Sequence, residues 1–165
     1  GNQPGTGMAH LFNYAGAPWL TQKWVRKVKA AYSDVTPYGG YRDDEDQGQM
    51  GALGVLMAIG LFEVDGGCAE KPFYEITSPL FDKVTIHLDN RYYPGKTFQI
   101  ITVGNSADNM YIQRASFNGK KWNKCWFYHE DFIKGGTLEL QLGTTPNKKW
   151  GIEEFPPSSV SSDKD

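Results

Sequence analysis

With 165 residues and a formal net charge of −2, the chain can bury the core of one domain and carries no electrostatic footprint for nucleic acid or an anionic membrane. Aromatic residues make up 14% of it, five of them Trp, which suits a core and a sugar-stacking surface equally. The longest apolar run, Met57 to Phe62, is far too short to span a bilayer, so no nucleic acid and no membrane is expected as a partner.

The chain opens at Gly1 in GNQPGTG, without Met and without a charged-then-apolar leader, which reads as a processed chain or a piece of a longer one. HLFNYA reads as a short helix that Gly16 can end, and Pro18 suits the start of the next. In PWLTQKWVRKVKAAY, Leu20, Trp24, Val28 and Tyr32 recur every four residues and predict the buried stripe. A second helix, Gly48 to Ile59, is apolar nearly all round and is expected to lie buried between neighbours. After Gly66-Gly67 the period becomes two. PFYEIT, KVTIHL, TFQIITV, MYIQRASF, KCWFYH and TLELQLG read as strands, with turn chemistry between them and a hairpin signal at Asn118-Gly119. EFPPSSVSSDKD has the composition of a linker or flexible end. Cys68 and Cys125 lack CxxC spacing and fit one disulfide or two thiols. The fold class is α+β, divided into helices over 1–66, an antiparallel β region over 67–151 and a tail over 152–165. An apolar helix with so few helical neighbours fits a fragment of a larger helical unit better than a stand-alone globule.

The densest chemistry lies in YRDDEDQGQM, where Asp43, Asp44, Glu45 and Asp46 run together. Acids favour helix N-termini, but four in a row exceed what capping requires. Acidic runs are more often solvated than catalytic, yet this one follows a Gly-Gly turn at the mouth of an apolar helix, where loops place reactive groups. Asp44 and Asp46, two apart, can both face one water. Their mutual repulsion would raise the proton affinity of one, which suits a general base. Asp43 and Glu45 are then left to cap or to face solvent. GNQPGTG alone is weak evidence for phosphate binding. His10, His87 and the His129-Glu130-Asp131 turn read as structural.

In order and spacing, GNQP, LFNYAGAPWLTQKWVR, DEDQGQMGALGVLMAIGLFEV, SPLFDKVTIHL, NMYIQRASFNGK, HEDFIKGGTLELQLG and PNKKWG resemble the C-terminal part of glycoside hydrolase family 92. The resemblance runs from Gly1 to about Gly151. It implies a calcium-dependent exo-α-mannosidase that inverts the anomeric centre, and it makes the helices the last of an (α/α)6 catalytic barrel, followed by an antiparallel β-sheet or sandwich region. Carried over, Asp46 is the general base, Asp44 its partner in holding the water, and Asn2 the side chain nearest the Ca2+. The general acid is expected to be a glutamate in the upstream part of the same polypeptide, which would leave these residues inactive alone. Inversion calls for acid and base roughly 6.5–9.5 Å apart. Where the family usually reads GNEPSHH, this chain has Gln3, Gly5, Thr6 and Gly7. Removing the charge and opening space favours a phosphate beside the mannose. The resemblance therefore implies a mannose-containing glycan substrate with mannose-1-phospho-6-mannose linkages. An ordinary α-1,2-mannosidase is the alternative within the family. A non-catalytic mannan-binding β module, with Trp122 and Trp126 as platforms, is the alternative outside it. Secretion or a periplasmic or cell-surface location follows from the family's use on external mannans.

Overall fold

The computed structural model describes residues 5, 7–32, 35–36, 39–40, 45 and 48–158. A 3-10 helix, Gly7–Asn13, turns at Gly16 (φ 70°) into α1, Pro18–Ala30, where Pro18 occupies the first turn. Helix α2, Gln49–Ile59, is bracketed by Gly48 (φ 91°) and Gly60 (φ 83°), both left-handed positions that favour glycine.

The buried face of α1 differs from the predicted stripe. It carries Pro18, Thr21, Gln22 and Val25, whereas Trp24 is 41% exposed. The Trp24 ring is satisfied at the surface by the ammonium groups of Lys23 and Lys27, 5.5 and 5.1 Å from its centroid. Gln22 goes inward instead because its Oε1 accepts the buried Ile112 N–H at 2.9 Å. Helix α2 buries Met50, Leu53, Gly54, Met57 and Ala58, but Val55 is 60% exposed. Burial between neighbours thus holds for one face of α2 among the described residues.

Two sheets follow. β1 (Leu61–Phe62), β2 (Phe73–Ile76) and β7 (Trp126–Tyr128) form one, in the order β1-β2-β7. β3 (Lys83–His87), β4 (Thr97–Val103), β5 (Tyr111–Phe117), β6 (Lys120–Lys121) and β8 (Gly136–Gly143) form the other, in the order β3-β4-β8-β5-β6. A single turn of helix, α3 (His129–Phe132), joins the two. Pairing is antiparallel throughout except between β4 and β8, which run parallel. Asn118 (φ 51°) and Gly119 (φ 76°) make the expected two-residue hairpin turn between β5 and β6. β5 carries a register shift between Ile112 and Arg114.

The sheets close on an aromatic core. Phe98 is fully buried, with ring centroids of Phe132, Phe127 and Phe117 at 4.8, 5.6 and 5.8 Å. Burying each such ring contributes about 1.5–3 kcal/mol. A smaller core under the helices is made of Ala9, Val25, Leu53 and Met57, with Phe62 packed on it. The beginning of the expected tail lies against β7: the Glu154 carbonyl accepts Trp126 Nε1–H at 3.2 Å, and Lys124 pairs with the Glu154 carboxylate at 2.5 Å. Cys68 is exposed, Cys125 is buried, and both are free thiols.

Candidate active-site groove

The start of the 3-10 helix at Gly7 and the helix that follows the acidic run meet across a groove of about 550 Å³. Its walls include Gly7, Met8, Gln49, Leu53, Phe62 and Glu63. Chain geometry explains the meeting. The 3-10 helix and α2 pack through Ala9 and Leu53, and β1 leaves the end of α2 at Gly60 to form the third side.

Of the acidic run, Glu45 is described, and its role is structural. Its carboxylate accepts the Gly51 N–H at 3.1 Å, and its carbonyl accepts the Met50 N–H at 3.2 Å. Glu45 therefore caps α2, whose Gly48 has no side chain to do so. Asp44 and Asp46 lie outside the described residues, as do Asn2, Gln3 and Thr6. Gly5 and Gly7 are described, and a methyl group added at either would meet no atom within 4 Å.

Sequence reasoning passed over Glu63. It lines the groove, and its Oε1 is buried without a hydrogen-bond partner. Burial holds its pKa above the usual carboxylate range, although the nearby Phe73 and Gly67 backbones and His129 pull the other way. Such a group can keep a proton where an ordinary glutamate has lost it. The sequence hint was an acid directly after an apolar run, in GLFEV.

A second cluster lies behind the groove. Glu75, on β2, is completely buried, and its Oε2 accepts Asn13 Nδ2–H at 2.5 Å and sits 3.7 Å from His10 Nδ1. His10 is also fully buried and stacks on Phe62 with centroids 3.6 Å apart. Burial, and next the charge of the same carboxylate, push the pKa of the Tyr14 hydroxyl up. The other two histidines agree with the structural reading. His129 Nδ1 lies 3.0 Å from the Tyr74 hydroxyl, and His87 is exposed on an edge strand.

Residues 1–144 match the description "Glycosyl hydrolase family 92 catalytic domain". The chain belongs to this family. A secreted glycosidase of Arthroderma benhamiae, otherwise uncharacterised, is 36% identical over 163 residues, which cover 96% of this chain and 20% of that protein. A GH92 α-mannosidase of Bacteroides thetaiotaomicron superposes with a TM-score of 0.85 at 30% identity, over 96% of this chain and 21% of its own. A GH92 inverting mannosidase of the same organism gives 0.80 at 37% identity, over 95% and 20%. The family 92 chain thus spans about a fifth of the length of these relatives.

Of the two aromatic platforms expected of a sugar-binding module in this family 92 chain, one is closed and the other half-buried. Trp126 is buried, and Trp122 donates its Nε1–H to the Trp126 carbonyl while accepting Trp150 Nε1–H at its own. Among the described residues no group of three or more His, Cys, Asp or Glu side chains is placed to hold a metal ion. Asn2, the expected ligand, lies outside the described residues.

Proposed function

We propose that this chain is part of a secreted inverting exo-α-mannosidase that removes phosphate-linked mannose, in mannose-1-phospho-6-mannose units of mannans or N-glycans. The observation that carries the mannosidase reading is the family match over residues 1–144, together with structural relatives that are mannosidases, one of them inverting. Secretion is supported by the secreted glycosidase that shares the sequence.

In this reading Asp46 takes the proton of a water held by Asp44, and the water attacks the anomeric carbon from the face opposite the leaving group. A glutamate elsewhere in the longer polypeptide protonates the leaving oxygen. Glu45, whose Oε1 caps α2 through the Gly51 N–H, is assigned neither role. Ca2+ bound near Asn2 would polarise mannose hydroxyls. The exposed Val55 marks a face on which the remaining helices of an (α/α)6 domain would pack. The phosphate preference rests on Gln3 in place of an acid and on the open space beside Gly5 and Gly7. A carboxylate there would repel the phosphodiester, whereas an amide can donate to it.

The test uses the full-length enzyme on mannose-1-phospho-6-mannose and on α-1,2-mannobiose, with product anomers followed by NMR. β-Mannose as first product, and loss of about 10²–10⁴-fold in kcat on Asp46→Asn, are expected. Gln3→Glu should depress the phosphodiester reaction selectively. A parent that prefers the plain disaccharide, unchanged by Gln3→Glu, would leave the α-1,2-mannosidase reading in its place.

A further inference from the structure

Helix α1 buries Pro18, Thr21, Gln22 and Val25 on one face. At about 100° per residue, the opposite face carries Lys23 and Lys27, with Trp24 at its edge. Trp24 is exposed and belongs to neither hydrophobic core, and both ammonium groups lie against its ring. Lys148 extends the row, 5.2 Å from the centroid of the Trp19 ring. Trp19, Lys23 and Lys27 follow one another at four-residue spacing, so the row runs about 12 Å along the helix. No residue of α1 is among the walls of the groove. This face is separate from it.

The positive charge here is uncompensated. No Asp or Glu precedes Asp34 in the chain and none lies between Gly143 and Trp150, although the chain as a whole is net negative. Among the described residues, Lys23, Lys27 and Lys148 take part in no ion pair. The helix dipole accounts for Lys27 and Lys29 in the last turn, but not for Lys23 in the middle. An exposed indole offers an apolar face on which the C–H face of a sugar can lie. Ammonium groups beside it favour a sugar chain that carries negative charge. A cation–π contact at an exposed ring is weak, whereas a charge-assisted hydrogen bond to a phosphate oxygen is strong. The lysines can therefore exchange the ring for an anionic chain.

We propose that the outer face of α1 is a second carbohydrate-binding surface, where Trp24 stacks on a sugar ring of an anionic mannan and Lys23 and Lys27 hold its phosphate groups. That the anion is a phosphate on mannan rests on the substrate reading above. In that reaction the bond between C1 and its oxygen breaks. Water supplies a hydroxyl to C1 and a proton to the phosphate oxygen, so free mannose leaves and a phosphate monoester stays on the chain. The polymer remains anionic after each cleavage, and the surface retains it for the next.

The experiment uses the full-length enzyme and measures, by affinity electrophoresis, its binding to phosphorylated mannan and to the same mannan stripped of phosphate. Lys23→Gln combined with Lys27→Gln should weaken binding to the phosphorylated polymer about tenfold and leave binding to the stripped one within about twofold. Trp24→Ala should weaken both about three- to tenfold. Trp24→Leu replaces it should that variant fail to fold, as read from its melting transition. On free mannose-1-phospho-6-mannose, kcat/KM should stay within about twofold of the parent throughout. Unchanged affinity in every variant overturns the proposal, and this is the result if the rest of the polypeptide covers the face. Equal losses on both polymers in the lysine variant overturn it too. So does a parent that binds single-stranded DNA as tightly as phosphorylated mannan, because the surface would then not select a glycan. If the variants behave as expected but the parent cleaves no phosphodiester, the surface stands and the substrate reading falls. If the parent cleaves it and no variant alters binding, the reverse holds.

Discussion

Gln22→Leu isolates one hydrogen bond between the helices and the larger sheet. Gln22 and Ile112 are both buried, and the Ile112 N–H donates to Gln22 Oε1 at 2.9 Å, next to the register shift that interrupts β5 pairing. Because that shift breaks the regular ladder, this N–H takes a side-chain acceptor from α1. Leucine fills a similar volume and removes the acceptor, stranding a buried donor at a cost of about 1–3 kcal/mol. That corresponds to about a 5- to 140-fold change in the local opening equilibrium. The added apolar burial partly offsets the loss, by up to about 1–2 kcal/mol, so a global melting midpoint is the wrong readout. Native-state amide exchange, resolved at Ile112 in the full-length enzyme, reads the local term. The expected result is acceleration within that range at Ile112, with Phe98 and Leu140 unchanged. Exchange at Ile112 within about twofold of the parent would refute the idea that this contact ties α1 to the sheet.

Other changes probe other links. The folded-state pKa of Glu63 is raised by burial, so the folded state favours its protonated form. The parent should therefore lose stability as pH rises from the ordinary carboxylate value through the raised one, and Glu63→Gln should remove that loss; parallel pH curves for the two proteins would contradict it. Burial pushes the Cys125 thiol up to about 12, with Glu75 adding to the shift, whereas Cys68 is exposed. Iodoacetamide at about pH 8 should label Cys68 in the native protein and reach Cys125 only after denaturation, as peptide mapping will show. Gly60→Ala places a methyl group against the Pro79 ring at a φ of +83°; conformational cost and overpacking together come to about 2–5 kcal/mol, and the soluble folded yield should fall. Arg26 donates to the Ser78 carbonyl and hydroxyl (3.2 and 3.0 Å), the Ser106 carbonyl (3.3 Å), Asn105 Oδ1 (2.6 Å) and the Pro79 carbonyl. Lysine cannot reproduce that fork, so Arg26→Lys should speed proteolysis within Gly104–Asn109 about tenfold, and an unchanged rate would show the fork to be dispensable.

Much of the fold was legible because local chemistry and tertiary context agree. The glycines flanking α2 stop it from both sides, and Asn118-Gly119 specifies its turn without outside help. Disagreements arise where a contact distant in sequence decides. Trp24 looked like core because it is apolar and falls on the stripe, whereas Gln22 falls outside it. The demand that reverses them, an unpaired N–H at Ile112, lies 90 residues away. The parallel pairing of β4 with β8 has no local signal, since both neighbours of β8 are chosen by the path of the intervening chain. Two-residue β1 exists only by pairing with β2. At the site, Glu45 could be assigned to capping from its place before a helix, and its bond to Gly51 agrees. Glu63 and Glu75 could not be foreseen, because burial makes each of them unusual and a single sequence does not display burial.

Several contacts that join the helices to the β region are polar, and this has a consequence for the groove. Hydrophobic contact is non-directional and would tolerate sliding of the helices over the β region. A hydrogen bond weakens steeply outside a narrow range of distance and angle. The Gln22–Ile112 bond, the Arg26 fork and the Glu75–Asn13 bond each demand one register. They fall on α1 and on the 3-10 helix, and the latter forms one wall of the groove with Gly7 and Met8. Another wall, at Phe62 and Glu63, is continuous with the β1-β2 pair that carries Glu75. The groove is therefore framed by the helical segment on one side and by the β region on the other. Its shape depends on how accurately the two are docked, so substitutions deep in the β region can reshape the groove without lining it. By the same logic, deleting the helices from the β region, or the reverse, would dismantle the groove itself and not merely remove half of its residues.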